Sequence, residues 1–223
     1  MSGVPGLASV VIPAYNEERN IAAVLEVLRS VEELERIVVV DDGSQDDTSG
    51  VVRRYRAQDP RILLVRLPVN LGKGGAVKAG AECCPNDLIL FLDADLVGLR
   101  PENVMDLIEP VASRRFHMTM GVFSGGRFST DFTQHITPFL NGQRCLLWSL
   151  FRDTPELADS RGGVDMALSL HARSRGYRVR RVPLRGVTHV MKHEKQPYLA
   201  GRRAHALMFG EIFRYLFRHL DHR

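Results

Sequence analysis

Short apolar runs rich in Val and Ile alternate along the chain with stretches whose apolar residues recur every three or four positions. Ser9 to Pro13 reads as a strand, and Asn16 to Ser30 as a helix with Ile21, Val24, Leu25 and Leu28 on one face. Arg36 to Asp42 is a second strand, whose unbroken valines predict burial on both faces. A helix then runs from an Asp47 cap to Arg56, and a third strand from Ile62 to Leu67. Gly74 to Cys83 reads as a helix of small residues and Leu88 to Leu92 as a fourth strand. Pro101 fits the first turn of a helix ending near Ser113. This alternation predicts an α/β fold, a mostly parallel sheet with helices on both faces. Right-handed crossovers then bring the strand carboxyl ends to one edge. The second half is less regular. His117 to Gly125 reads as a strand, Asn141 to Phe151 and Asp165 to Ser174 as helices, and segments from Tyr177 and Gly186 as short strands. Gly201 to Leu220 reads as a basic amphipathic helix.

Composition narrows the partners. The 223 residues, 44% of them hydrophobic, suffice for one sizeable core. A net charge of +4 and an isoelectric point near 9.2 suit phosphates or anionic lipid headgroups. No dense Lys/Arg block with interleaved aromatics is present, which argues against nucleic acid. Three cysteines, two of them adjacent, suggest neither a disulfide framework nor a zinc site, and fit a reducing compartment. The first residues lead into a strand rather than a signal peptide, and no window approaches ~18 uninterrupted apolar residues. A cytoplasmic location is expected, with the amphipathic helix able to lie on the inner face of a membrane or to form a dimer contact.

Three strands end on polar groups: Pro13, Tyr15, Asn16 and Glu17 after the first, Asp41, Asp42, Gly43 and Ser44 after the second, Asp93 and Asp95 after the fourth. Ligands of open α/β sheets bind beyond these ends. Carboxylates as close as Asp93 and Asp95 need a cation or donors to offset their repulsion, and Mg²⁺ or Mn²⁺ with phosphate oxygens would do so. Asn70 to Gly80, NLGKGGAVKAG, is a Gly-rich turn with Lys73 for positive charge. It lacks the Ser/Thr after Lys of a nucleoside-triphosphate loop, and no GxGxxG follows the first strand.

Taken in order, VVIPAYNEERNI, VVVDDGSQDDT, NLGKGGAVKAG and LILFLDADL resemble the family 2 glycosyltransferases of GT-A fold, over roughly residues 8 to 96. In layout the chain is similar to the polyprenyl- and dolichyl-phosphate sugar synthases and other small bacterial members. The resemblance implies a Rossmann-like, mostly parallel sheet with a short acceptor-side subdomain. It implies one domain over 1–223: a nucleotide-sugar half to about 97, an acceptor half to about 200 and the helix at 201–220. Pro13, Tyr15 and Glu17 would line the nucleotide site, Val40 and Asp42 the base, and Lys73 the base and ribose. Asp93, Ala94 and Asp95 match the Asp-x-Asp motif, the first facing the ribose and the last binding Mg²⁺ or Mn²⁺. The implied reaction is inverting sugar transfer from a UDP- or GDP-sugar to a lipid-phosphate, lipid or small-molecule acceptor.

The chain departs from lipid-phosphate mannose synthases at Val97 and Gly98, where those carry a metal-binding Gln. His189 is the candidate replacement ligand. Asp165, after two glycines at a helix start, is the candidate base, or an orienting group if the acceptor is a phosphate. Arg127 and Arg144 are candidates for phosphate contact. Gly142, Gln143 and Arg144 resemble a Gly-Gln-Arg element of some small members. Lys192, His193 and Lys195 form a basic stretch suited to phosphate. Two other classes compete. A sugar-nucleotide nucleotidyltransferase wants a Gly-rich, Arg-containing signature after the first strand, and PAYNEERN has none. A non-catalytic nucleotide-sugar-binding module would not need the Asp93/Asp95 pair together with Asp165.

Overall fold

The computed structural model describes residues 8–124, 142–155 and 163–190. Arg127, Lys192, His193, Lys195 and the helix expected at 201–220 lie outside them.

Strand β1 (Ala8–Ala14) leads to α1 (Ile21–Arg29), β2 (Leu34–Asp41), α2 (Thr48–Arg56), β3 (Ile62–Arg66), α3 (Gly72–Ala81) and β4 (Leu88–Phe91). The short β5 (Leu96–Val97), α4 (Pro101–Ala112) and β6 (Met118–Ser124) follow. Beyond them come β7 (Arg144–Leu147), α5 (Trp148–Arg152), α6 (Val164–Ser174), β8 (Val179–Arg185) and β9 (Thr188–His189). Seven strands form one sheet in the order β3-β2-β1-β4-β7-β6-β8, and β5 pairs with β9 apart from it. Every pairing in the large sheet is parallel except the two made by β7.

Alternation along the central strands feeds two cores. Val10, Ile12, Ile37, Val39 and Leu90 join α1, α2 and α4 on one face, while Val11, Val38, Val40, Ile89 and Phe91 join α3, α5 and α6 on the other. Both faces are covered, which is why the valine run of β2 carries no polar position.

Several element ends shift by one or two residues, and two readings differ by more. Helix α1 begins at Ile21 rather than Asn16, because Asn16 takes a left-handed backbone (φ 56°) that a helix cannot contain. The segment read as one helix from Asn141 is broken: Arg144 to Leu147 form a strand that fills the gap between β4 and β6, and only Trp148 to Arg152 are helical.

Arg61 locks the end of the sheet opposite the site. Its guanidinium donates to the carbonyls of Arg29 (2.6 Å), Val31 (2.8 Å) and Leu34 (3.2 Å) and to Asp59 Oδ2 (2.8 Å). The hydrogen bonds from Arg61, acting against burial, hold the Asp59 carboxyl below its ordinary value of 3.8. A depressed carboxyl stabilises the fold above its unfolded-state pKa, and that stability is lost as pH falls through the lower folded-state value. Asp59→Asn is therefore expected to cost about 1–3 kcal/mol at pH 7. In urea titrations the gap from wild type should narrow below about pH 4; a gap constant from pH 7 to pH 3 would show that the charge of Asp59 contributes nothing.

Candidate functional site

The chain builds outward from β1 through β2 to β3, then returns to lay β4 on the other side of β1. The crevice beyond the carboxyl ends of β1 and β4 is thus a topological switch point, the usual ligand site of such sheets. The large apolar side chains left exposed among the described residues, Tyr15, Val69, Leu71 and Val97, all lie on segments following the carboxyl ends of β1, β3 and β4. Gly43, Ser44, Arg66, Leu67 and Pro68 line an open cavity of 290 Å³ on the same edge.

The first two rim loops are stitched together. The Asn16 amide donates to Ser44 Oγ (3.0 Å), Gln45 N to Asn16 Oδ1 (2.8 Å) and Glu17 N to Thr48 Oγ1 (2.8 Å). Asp41 is wholly buried, accepting from Ser44 N at 2.8 Å and from the Ser49 hydroxyl. Asp42 accepts from the amides of Leu71 (2.7 Å) and Gly72 (2.9 Å), at the start of α3. A carboxylate there complements the positive end of the helix dipole. This cap fixes the first turn of α3, which carries Lys73.

Lys73 reaches across the crevice. Its Nζ lies 2.8 Å from Asp93 Oδ1 and 3.1 Å from Asp165 Oδ2, joining the end of β4 to the first turn of α6. Burial alone would lower the Lys73 pKa, but the charges of Asp165 and Asp93 outweigh it and raise the value. The Asp93 carboxyl is held below its ordinary range: burial opposes this, and the charges of Lys73 and His189 overcome it.

His189 arrives through the small ladder, where Leu96 pairs with His189 and Val97 with Thr188. Its Nδ1 is 3.0 Å from Asp95 Oδ1 and its Nε2 3.8 Å from Asp93 Oδ2. Gly98 makes the approach possible. It has φ +75°, and a Cβ there would overlap the carbonyl oxygen of Gly186, in the turn that leads to β9. Burial works against the imidazolium, yet the Asp95 hydrogen bond and the two carboxylate charges raise the His189 pKa. Ligand atoms of Asp93, Asp95 and His189 all lie within 4.8 Å of one another. Two carboxylates and an imidazole suit Mg²⁺ or Mn²⁺, so the residues present fit a divalent cation.

Strand β7 supplies the floor. Gln143 Nε2 donates to Asp93 Oδ2 at 2.8 Å. Arg144 is wholly buried; its Nε lies 3.4 Å from Asp165 Oδ1, and its Nη1 donates to Ser169 Oγ at 2.7 Å.

Of the residues singled out in the sequence, Lys73, Asp93, Asp95, Asp165, Arg144 and His189 are brought into one network. Lys73 lies between the two carboxylates Asp93 and Asp165 rather than at the Asp42 end of the crevice. Tyr15 and Glu17 sit on the β1 rim, with Pro13 partly buried at the strand end. Three further expectations change. Val40 packs wholly into the α3-side core and offers no side-chain surface to a base. Ala94 turns into the opposite core. Arg144, expected on a phosphate, spends its guanidinium on Asp165 and Ser169. Gln143 was visible only as the middle of a short Gly-Gln-Arg element; nothing in its sequence position says that it touches Asp93.

Comparison with known proteins gives the family and the fold. The profile described as glycosyl transferase family 2 matches residues 9–181. A dolichyl-phosphate beta-glucosyltransferase of Trichomonas vaginalis is 44% identical over 96 residues, covering 39% of this chain and 30% of that protein. An undecaprenyl-phosphate 4-deoxy-4-formamido-L-arabinose transferase of Aeromonas hydrophila is 32% identical over 140 residues, 60% of this chain and 42% of that one. The chain thus spans less than half the length of these two curated relatives. Glucosyl-3-phosphoglycerate synthase from Mycobacterium tuberculosis, solved with Mn²⁺, UDP and glucosyl-3-phosphoglycerate, superposes with a TM-score of 0.73 at 21% identity, over 94% of this chain and 79% of that one. The same enzyme solved with Mg²⁺ and UDP also gives 0.73. The shared fold is GT-A.

Proposed function

Because the chain belongs to glycosyl transferase family 2, we propose that it moves a sugar from a UDP- or GDP-sugar to a lipid phosphate, with inversion at the anomeric carbon. The observation that carries this reading is the cluster of Asp93, Asp95 and His189, with Lys73 beside it, at the switch point between β1 and β4.

The base and ribose would lie along the rim from Tyr15 to the cavity by Gly43 and Arg66, and the diphosphate toward Asp95. Held by Asp93, Asp95 and His189, a divalent cation would supply positive charge to the leaving diphosphate. Lys73 adds a fixed ammonium on the acceptor side. The names of the curated relatives support a lipid-phosphate acceptor. So does Asp165, whose two oxygens are paired with Lys73 and Arg144. Both Asp165 oxygens already face donors, so its geometry suits holding Lys73 in place, and a phosphate oxygen needs no proton removed. In the proposed step the acceptor oxygen bonds to the anomeric carbon as the bond to the diphosphate oxygen breaks. Asp165 then keeps Lys73 aimed at the acceptor phosphate. No helix among the described residues is long and apolar enough to cross a membrane.

Calorimetric titration with UDP and with GDP, each with and without Mn²⁺, tests the donor site. One nucleotide is expected to bind at least about tenfold more tightly with the cation, as an ion bridging carboxylates and diphosphate should. Equal binding with and without Mn²⁺ for both nucleotides would remove the basis for the reading.

A further inference from the structure

Gln143 is buried with no exposed surface, and its amide is only half used. The Nε2 end must face Asp93, because a carboxylate only accepts. The Oε1 end is buried and has no hydrogen-bond partner among the described residues. An unpaired buried amide oxygen costs stability, so an apolar side chain of the same size would serve packing better. What Gln143 offers that Met or Leu could not is the bond to Asp93.

That bond completes a restraint. Lys73 holds Asp93 Oδ1 at 2.8 Å and Gln143 holds Oδ2 at 2.8 Å, so two donors on opposite oxygens fix the carboxylate plane. Lys73 alone would leave that plane free to turn about the final torsion, which is broad for a carboxylate. Gln143 is itself fixed, since its carbonyl accepts from Gly121 N at 2.8 Å. The preceding Gly142 admits the approach. A Cβ there would lie 2.7 Å from Asp93 Oδ1 and would overlap Lys73 Nζ.

We infer that Gln143 is a positioning residue that orients Asp93 for the divalent cation and the nucleotide diphosphate, with Gly142 providing the space. The inference rests on the donor-site reading above. Partners that orient metal-binding carboxylates from behind commonly carry 10- to 100-fold in metal affinity.

The test uses the full chain with Gln143→Met, which keeps the volume and removes the donor, and Gln143→Asn, which keeps the amide one methylene short of Asp93. Both are titrated with UDP and GDP, with and without Mn²⁺, and melted by circular dichroism. The Mn²⁺-dependent gain in nucleotide affinity is expected to fall about 10- to 100-fold in both. Affinity without metal should stay within about twofold, and Gln143→Met should remain folded, the loss of the bond to Asp93 Oδ2 being partly offset by removal of the unpaired Oε1. A wild-type gain in either folded variant, an equal loss with and without metal, or failure of both to fold would overturn the inference. If wild type shows no Mn²⁺-dependent gain, the donor-site reading itself fails and takes the inference with it; the wild-type titration separates that case from the others.

Discussion

Asp95→Ala is expected to abolish Mn²⁺-dependent nucleotide binding and to lower sugar transfer to a short polyprenyl phosphate by about 10³-fold. That figure corresponds to the several kcal/mol a bound cation gives a leaving group. Asp95 is the partner of His189 Nδ1, and its side chain keeps about a fifth of its surface exposed. Losing that pairing should lower stability by about 0.5–1.5 kcal/mol, far less than the loss of turnover. The loss should therefore appear in the difference between titrations with and without metal. A variant that kept both its Mn²⁺ response and its turnover would dissociate Asp95 from the chemistry, however well it is placed.

Arg144→Met should produce the largest loss of stability. The guanidinium is wholly buried, and burial presses its pKa down while Asp165 and then Asp93 resist the change. Removing it strands the Asp165 carboxylate, whose remaining ion-pair partner among the described residues is Lys73. Breaking one side of a buried pair typically costs 3–5 kcal/mol, here on the order of 10 °C in melting temperature. Adding Asp165→Asn should restore part of that stability, since a neutral amide no longer needs two cations. Urea denaturation of the two single variants and the double variant gives the coupling directly. Strictly additive losses would mean that Arg144 does not act through Asp165.

In the half of the molecule up to Val97 the strand order along the chain and the crevice could be read from the sequence. Unbroken valines mark a strand buried on both faces, and polar residues after three strands mark the crevice. Both signals are local, so they survive without knowledge of the fold. The second half resisted for two physical reasons. Arg144 to Leu147 carry a short apolar run that suits a helix or a strand equally, and the choice was made by the open edges of β4 and β6. Moreover, β7 alone runs against the rest of the sheet, so it brings its beginning to the site edge rather than its end. Searching strand carboxyl ends finds Asp42 and Asp93 but passes over Gln143. His189 could be proposed from its residue type, whereas its seat beside Asp95 depends on a two-residue ladder and on Gly98, neither of which has a periodic signature.

The ladder between β5 and β9 also sets an order of events. Asp95 and His189 meet across 94 residues of sequence, and the two-residue pairing that joins them is among the most non-local contacts in the described fold. On a ribosome the chain emerges from its beginning, and early segments fold first. β1 to β4 and both aspartates would be in place while the imidazole had yet to be synthesised. Closing so long a loop is also the slow kind of contact in refolding. On the proposed reading, the cation site would be completed only when His189 joins two aspartates already in place.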